Sequence, residues 1–381
     1  MRGCLRPKAV QRHAVQRADL LGLDLPTFTA WSRGLVGHAD RFHYELYRRM
    51  MIDGRCAVDE APLWSEAERA TPGICARLQA HAVCDQVPPI TETLQAHDDG
   101  QGTTTKVLCR LSDGNSVEAV LIPMHAGGHH TVCVSSQVGC KMGCSFCHTA
   151  KMGLIRSLEA HEIVAQVLAV RRATGMRPRN VVFMGMGEPL DNIEAVAQAV
   201  RVLTGPGGPS LAHRHITVST VGRVDVLARW CELGLDRINL AVSLTAADDD
   251  VRSELMPVNR LHPLAHLKQA LLAIPIPAGR RILISCVVIP GVTDSPAQIR
   301  DLIAWLHGLQ VLVNVIPYNP IPSRAWRAPI LTEITAVVDQ LENAGIPVRL
   351  RLTKGDAVMA ACGQLGNPVR RPPSAPTLSQ A

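Results

Sequence analysis

The chain has 381 residues, of which 47% are apolar and 19% charged, and its formal net charge is +6. These values indicate a globular protein with a sizeable core and exclude a disordered or fibrous chain. The longest nearly apolar run, from Ile282 to Pro290, is far shorter than the ~20 residues of a membrane helix, so we expect no membrane span. The 39 basic residues against 33 acidic ones permit a polyanionic partner without requiring one.

Residues 1–100 predict a small helical accessory domain that would contact RNA if the chain has an RNA partner. Apolar residues recur there at helical spacing, as at Phe42, Leu46 and Met50. The basic stretch MRGCLRPKAVQRHAVQR lacks a following apolar segment, which favours a first helix over an export signal. The run DDGQGTTT, residues 98–105, is dense in Gly, Asp and Thr and predicts a linker.

Residues 101–130 predict the end of that linker and a β-hairpin. KVLCRL and SVEAVLIP flank the turn SDGN, and Asp-Gly between two β-rich runs is a strong hairpin signal. At the other end of the chain, residues 368–381 are rich in Pro and have no periodicity, which predicts a disordered tail.

Residues 131–367 alternate short apolar runs with segments of helical spacing, which predicts an α/β fold. Such runs belong to parallel strands that are covered on both faces. The predicted strands are 131–136, 180–185, 215–220, 237–244, 281–289 and 311–318. Six such units fit a partial (β/α)6 barrel, whose chemistry gathers at the carboxyl ends of the strands, and a doubly wound open sheet is the alternative.

The chain has twelve cysteines without the dense spacing of a disulfide scaffold, which favours a reducing, cytoplasmic compartment. Cys140, Cys144 and Cys147 form a C-x3-C-x2-C run directly after the first predicted strand. Three thiolates on one loop suit a cubane iron–sulfur cluster with one open iron. A closed zinc site, with His148 as the fourth ligand, is the alternative.

A second candidate site follows the next predicted strand, in the run MGMGEP from Met184 to Pro189. Glycines let a backbone approach a ligand closely, and the carboxylate of Glu188 can receive an ammonium group. The same run could also be an ordinary turn.

The cysteine run, with aromatic Phe146 before its last cysteine and a (β/α) barrel around it, resembles the radical S-adenosylmethionine (SAM) superfamily. Further segments indicate which branch of this superfamily the chain resembles. These segments are VEAVLIP, CVSSQVGCKMGCSFCHTA, FMGMGEPLDN, TVSTVG, NLAVSLTA, ELMPVNR, VVIPGVTDS, IPYNP and GDAVMAACGQLG. Their order and spacing are similar to those of the RNA methyltransferases that methylate an adenine carbon. These are the dual-specificity C2-methylating family and its C8-methylating resistance relatives, and the resemblance extends from Thr103 to Gly366.

This resemblance implies a [4Fe–4S] cluster on the three cysteines and two SAM molecules per turnover. One SAM would methylate Cys362, and a second, split at the open iron, would supply the radical that takes a hydrogen from the new thiomethyl group. The resulting methylene radical would add to the base and leave a protein–RNA thioether. Glu118 would remove the proton of the modified carbon, and Cys133 would attack Cys362 to release the product through a transient disulfide.

The resemblance also implies the SAM contacts. Carried over residue by residue, they are Gly187, Glu188, Ser219, Ser243, Leu244, Thr245 and Asn319. The family commonly has His where this chain has Thr245, and a backbone contact would survive that departure.

We therefore expect a cytoplasmic, monomeric radical SAM methyltransferase acting on adenine, at C2 rather than C8, in 23S rRNA and possibly in tRNA. A flavodoxin-type donor would reduce the cluster. With only 3% aromatic residues, RNA recognition would rest on Arg contacts to phosphate rather than on base stacking. The alternatives are a radical SAM enzyme for a small molecule or a protein, and a non-enzymatic zinc-binding RNA module.

Overall fold

The computed structural model describes residues 18–37, 40–53, 68–69, 72–83, 90–98, 102–124, 128–351 and 353–366. The predicted basic first helix and the predicted disordered tail at 368–381 lie outside these residues. None of the helices in the described ranges is long and apolar enough to cross a membrane.

The described residues form short and long β-strands distributed along the whole chain. The strands are β1 (Ala18–Asp19), β2 (Ala82–Val83), β3 (Ile90–Asp98), β4 (Gly102–Arg110), β5 (Ser116–Pro123), β6 (His130–Cys133), β7 (Gln137–Cys140), β8 (Gly153–Ser157), β9 (Asn180–Phe183), β10 (Ile216–Thr220), β11 (Asn239–Ser243), β12 (Ile282–Val288), β13 (Val311–Pro317) and β14 (Val348–Leu350).

Helices alternate with the later strands. The α-helices are α1 (Leu25–Val36), α2 (Asp40–Asp53), α3 (Ile74–His81), α4 (Ala160–Thr174), α5 (Ile193–Thr204), α6 (Val224–Leu227), α7 (Asp249–Leu255), α8 (Leu264–Ala273), α9 (Pro296–Leu306) and α10 (Leu331–Asn343). Short 3-10 turns lie at Leu20–Gly22, Thr149–Met152, Pro189–Asn192, His213–His215, Pro257–Arg260 and Asp356–Val358.

The first hundred residues contain helices α1 to α3. Helix α1 begins at the N-cap Asp24, whose side chain accepts from the Thr27 amide at 3.0 Å, and it ends at Gly37 with φ +65°. Phe28 of α1 and Tyr47 of α2 are fully buried, with ring centroids 5.2 Å apart. Burial of these rings holds the two helices together.

The main sheet has ten strands in the order β14-β13-β12-β11-β10-β9-β6-β5-β4-β3. Pairing is parallel from β14 to β6 and antiparallel from β6 to β3. From β6 to β14 the parallel strands follow chain order without the reversal that defines a doubly wound sheet. The predicted partial barrel is therefore confirmed, and each of the six predicted strands is present.

The predicted linker at residues 98–105 is wrong. Strand β3 ends at Asp98 and β4 begins at Gly102, and these two residues face each other at the end of an antiparallel ladder. The β-branched residues Thr103 to Thr105 suit a pleated strand, and Thr104 and Thr105 are buried. The predicted two-stranded hairpin thus becomes a three-stranded antiparallel unit at one edge of the barrel sheet.

The first barrel strand is also shorter than predicted, because β6 ends at Cys133 rather than at Ser136. Beyond it, the side chain of Gln166 in α4 takes the place of a neighbouring strand. Its Oε1 accepts from the Ser135 amide at 2.8 Å, and its Nε2 donates to the Ser135 carbonyl at 2.9 Å. The chain then forms β7, which pairs with β8 and carries Cys140 at its end.

Residues 353–366, which we name the C-terminal segment, lie across the carboxyl ends of the barrel strands. The amide of His148 donates to Gly363 O at 2.7 Å, and Thr149 Oγ1 donates to Leu365 O at 2.6 Å. These bonds fasten the segment to the loop that carries the three cysteines.

Candidate active site at the carboxyl ends of the barrel strands

A cavity opens where the parallel strands end. Its lining comes from the cysteine loop, from the turns after β9 to β13 and from the C-terminal segment. Its interior volume is about 160 Å³, on a scale where one water molecule needs ~10–15 Å³. The space therefore suits a ligand much larger than water, at the position where barrel enzymes carry their chemistry.

The three cysteines of the loop, Cys140, Cys144 and Cys147, all line this cavity. Burial raises the pKa of Cys140 to about 12 and raises the pKa values of Cys144 and Cys147. Buried thiols of this kind become thiolates when a metal supplies the compensating positive charge. The loop is therefore suited to hold a metal centre.

The sulfur atoms of the three cysteines do not form a tight trio. In the part of the chain that the structure describes, the one trio of side chains whose ligand atoms lie within 4.8 Å of one another is Asp19, Glu159 and His161. At least two of the three cysteine sulfurs are therefore more than 4.8 Å apart. Three thiols on one loop can serve either a cubane cluster or a zinc ion. His148, the alternative fourth zinc ligand, is not among the described lining residues.

Glu188 lies on the cavity wall after β9, with only 2% of its surface exposed. Its Oε1 accepts from the Leu190 amide at 3.0 Å and its Oε2 from the Val221 amide at 2.9 Å. Burial nevertheless raises the pKa of Glu188 to about 7, so a cationic ligand would favour its ionised form. The carboxylate is therefore held in a fixed orientation on the cavity wall by two backbone amides.

Gly185 and Gly187 pack so closely against the residues that follow strand β6 that no larger residue fits at either position. A Cβ on Gly187, which has φ +101°, would lie 2.6 Å from Gln137 Cβ, and one on Gly185 would lie 2.7 Å from Val134 O. Both distances are shorter than any real contact of a Cβ atom. The Gln137 side chain in turn accepts from the Glu188 amide at 2.9 Å, so this close approach orients the carboxylate.

The turn after β11 contains Thr245, a β-branched residue with φ +63°. Its amide is already bonded to Ser285 O at 3.2 Å. Its buried Oγ1, by contrast, has no partner among the described residues, and Thr245 lines the cavity. A left-handed conformation is costly for threonine, and such strain is typical of functional sites. The side chain, rather than the backbone amide, is thus the group that Thr245 offers to a ligand.

The remaining predicted SAM contacts divide into two groups. Ser219, Ser243 and Asn319 line the cavity together with Gly187. Leu244 does not line it, because the side chain is fully buried, its amide donates to Ser285 O, and its carbonyl accepts from Arg252 Nε at 3.1 Å. The side chain of Asn319 already makes two hydrogen bonds within the protein. Its Nδ2 donates to Cys362 O at 2.9 Å, and its Oδ1 accepts from Thr353 Oγ1.

Cys362 projects from the C-terminal segment and lines the same cavity as the three loop cysteines. Cys133 lies nearby on β6, opposite Val120 of β5. Burial raises the pKa of Cys133 to about 12, and the adjacent Cys362 adds to this rise while Arg351 opposes it. Both thiols are free. The structure therefore brings together two cysteines that are 229 positions apart in the sequence.

Glu118 is buried in β5 with 3% exposure rather than exposed on a hairpin. Its backbone carbonyl accepts from Ser135 Oγ at 2.7 Å, and its Oε2 accepts from the Gly366 amide at 2.9 Å. The carboxylate thus contacts the segment that carries Cys362. Glu118 is not among the described residues that line the cavity itself.

Two buried cations near the site were not predicted from the sequence. Lys106 lies 3.3 Å from Glu118 Oε1. Arg252, fully buried, donates to the carbonyls of Leu244 at 3.1 Å and Val221 at 2.7 Å and to Asn259 Oδ1 at 2.6 Å. Arg252 therefore joins the turns after β10 and β11. Neither residue was singled out by the sequence motifs, because burial of a cation depends on the elements that cover it.

The fold and this cavity are those of a radical SAM enzyme. The profile of the Radical SAM superfamily matches residues 134–303. A radical SAM methyltransferase from Sphaerobacter thermophilus, of known crystal structure, is 36% identical, covers 91% of this chain and 98% of its own, and superposes with a TM-score of 0.78.

Curated relatives narrow the class further. The dual-specificity RNA methyltransferase RlmN of Syntrophobacter fumaroxidans is 41% identical over 90% of this chain and 96% of its own length. The enzyme of the same name from Sorangium cellulosum is 39% identical over 88% of this chain and 92% of its own. The chain belongs to the dual-specificity RNA methyltransferase family of radical SAM enzymes, as its sequence motifs predict.

Proposed function

We propose that the protein transfers a methyl group to the C2 carbon of adenine in 23S rRNA, and also in tRNA, through a methylated Cys362 and a transient disulfide. The observation that carries this proposal is the position of Cys362. It shares one cavity with Cys140, Cys144 and Cys147 and lies beside the free thiol of Cys133. The names of the relatives support RNA as the substrate.

The residues of the cavity suit the two cofactors that the family implies. Cys140, Cys144 and Cys147 would hold a [4Fe–4S] cluster, and Glu188 would receive the ammonium group of SAM. Thr245 Oγ1, Ser219 and Ser243 would meet its remaining polar groups. When bound, the cluster and two successive SAM molecules supply the methyl group and the hydrogen-abstracting radical.

The protein's own residues then complete the transfer. Once the Cys362 methylene carbon is bonded to the adenine ring, Glu118 accepts the proton of the modified carbon. The unpaired electron of the adduct leaves to a one-electron acceptor, so that the adenine ring is restored. The Cys133 thiolate then bonds to the Cys362 sulfur while the bond from that sulfur to the methylene carbon breaks. The electron pair of the broken bond takes up a proton at this carbon, and the product leaves as methyladenosine. Separate reduction of the disulfide restores both thiols.

The choice of C2 over C8 rests on the resemblance of the sequence motifs to the dual-specificity C2-methylating family. We further propose that the protein acts as a monomer in the cytoplasm, where thiols stay reduced and RNA is present, with a flavodoxin-type protein as electron donor. The membership of the chain in a radical SAM enzyme family argues against the alternative of a zinc-binding RNA module.

The deciding experiment compares Cys362→Ala with Cys231→Ala. Cys231 is an exposed free thiol remote from the cavity lining, so it controls for the loss of a cysteine as such. Each variant is purified without oxygen, and nucleosides from RNA treated with it are analysed by mass spectrometry. We expect 2-methyladenosine from the wild type and from Cys231→Ala, and none from Cys362→Ala.

Full methylation by Cys362→Ala would contradict the methyl-cysteine route and favour an enzyme for another substrate. An 8-methyladenosine product would retain the route and correct the carbon. Iron and sulfide analysis of the same preparations tests the cluster, since a colourless protein with one zinc ion would contradict any radical chemistry.

A further inference from the structure

The cross-strand position of Lys106 relative to Glu118 is unusual for a lysine. Lys106 faces Val120 across the ladder of β4 and β5, and Leu108 faces Glu118. Lys106 and Glu118 are therefore diagonal neighbours on one face of the sheet, within reach of long side chains. This face is covered, since the two residues are only 4% and 3% exposed.

Lys106 and Glu118 form an ion pair, and two hydrogen bonds link this pair to the C-terminal segment. Lys106 Nζ lies 3.3 Å from Glu118 Oε1 and also donates to Met359 O at 3.3 Å. The Gly366 amide donates to Glu118 Oε2 at 2.9 Å. Met359 and Gly366 flank Cys362, and both have positive φ, +51° and +119°. The lysine therefore contacts the carboxylate and the cysteine-bearing segment at once.

A carboxylate in so buried a position is stable as an anion only beside a compensating charge. Among the described residues, Lys106 is the cation that forms an ion pair with Glu118. Without Lys106, the carboxylate would be left as a buried charge with no partner of opposite sign among the described residues. The function of Glu118 as a base therefore depends on a neighbour that never touches the substrate carbon.

We propose that Lys106 is a positioning residue for the methyl transfer: it compensates the buried charge of Glu118 and holds the carboxylate against the Cys362 segment. This inference rests on the proposed function, in which Glu118 removes the proton of the modified carbon. It makes Lys106 necessary for discharge of the protein–RNA adduct but not for its formation, because the adduct forms at Cys362 before the base acts.

The test follows the covalent adduct directly. Cluster-loaded protein is mixed with SAM, a chemical reductant and an rRNA fragment, and the adduct is separated on a denaturing gel while methyladenosine is measured by mass spectrometry. We expect Lys106→Met to accumulate at least ten times more adduct than the wild type and to form at least tenfold less product. Glu118→Gln should do the same, and Lys106→Arg should discharge the adduct at an intermediate rate.

A matched control separates charge from tethering. Lys354 also joins the hairpin to the C-terminal segment, since its Nζ donates to Pro123 O at 2.6 Å. We expect Lys354→Met to discharge its adduct as the wild type does. Accumulation of adduct by Lys354→Met would overturn the inference, because a loosened segment would then explain the effect of Lys106→Met.

Other outcomes are equally decisive. Normal turnover by Lys106→Met, or a folded variant that forms neither adduct nor product, would overturn the inference. If Lys106→Met does not fold, Lys106→Gln carries the test, since it removes the charge but keeps a donor for Met359 O. Unimpaired adduct discharge by Lys106→Gln would overturn the inference. Normal turnover by Glu118→Gln would instead refute the role of Glu118 as the base. A failure of the proposed function can therefore be told apart from a failure of the inference about Lys106.

Discussion

The carboxyl group of Glu188 allows a prediction about stability that is independent of catalysis. Glu188→Gln keeps the shape and the acceptor oxygen of the side chain but removes its ionisation. In the wild type, burial raises the pKa of Glu188 from 4.5 to about 7. Because the unfolded chain ionises at the lower pH, the folded state loses stability between these two values, relative to a group that does not titrate.

The size of this loss follows from the two pKa values. Each step of one in pKa corresponds to about 1.4 kcal/mol, so the rise of Glu188 from 4.5 to about 7 is worth roughly 3 kcal/mol. The protonated carboxyl group of Glu188 contributes its full stabilisation of the folded wild type below pH 4.5, the pKa in the unfolded chain. This stabilisation is lost as the pH rises through about 7, the pKa in the folded protein. Glu188→Gln does not have this dependence.

The assay is urea unfolding of the cofactor-free wild type and Glu188→Gln between about pH 4 and pH 8. Taking the difference between the two proteins cancels the titration of every other group. As the pH rises across this range, we expect the free energy of unfolding of Glu188→Gln to increase by roughly 3 kcal/mol relative to that of the wild type. We also expect this variant to lose SAM binding. A difference that is flat with pH, or one in which the wild type gains, would refute the reasoning.

Three further predictions follow from the site. Arg252→Met should lower the free energy of unfolding by about 3–5 kcal/mol, because the buried carbonyls of Leu244 and Val221 lose their donor. Its control is Arg229→Met, which removes an exposed ion pair with Glu194 and should lower the free energy of unfolding by under ~1 kcal/mol. Both values are measured by urea titration. Gly187→Ala, with its clash at Gln137, should cost about 2 kcal/mol more than Gly234→Ala, whose Cβ meets open space at φ +72°. Measured by filter binding, affinity for RNA should fall at least ~tenfold between about 50 and 200 mM salt; an affinity that stayed constant would argue against phosphate contacts.

Much of the barrel could be predicted because its strands are buried on both faces. The continuous apolar runs at 281–289 and 311–318 became β12 and β13 within one or two residues at each end. The Asp-Gly turn likewise set the pairing of β4 and β5. Strand β14 was not predicted, since three half-exposed or exposed residues give no periodic signal.

The errors have a common physical origin. The polar run at 98–105 resembles a linker only if its side chains are exposed, and Thr104 and Thr105 are in fact buried. Likewise, Glu118 has the local pattern of a hairpin acid, and its partner Gly366 lies 248 residues away. Burial of a polar residue depends on what covers it, and the covering element is remote in sequence.

The site itself was predictable where motifs are contiguous, as in the cysteine loop and the Glu188 run. At Thr245 the amide is already bonded to Ser285 O, and the buried polar atom without a partner among the described residues is its Oγ1. At Asn319 the amide group supports the Cys362 segment, a contact that the motif IPYNP does not indicate.

The C-terminal segment has a consequence for the order in which the protein assembles. Its bonds to the hairpin and the cysteine loop join residues 216 to 253 positions apart. Contacts of such high contact order form late, after the local βα units have already been built. The segment docks onto the barrel through these polar bonds and through a few buried apolar side chains, among them Ala360 and Leu365, so its detachment by local unfolding would expose only a small part of the core. In the proposed cycle, Cys362 must meet a methyl donor, a base and a second thiol in turn, and a docked segment can move between these partners more easily than a strand of the sheet could.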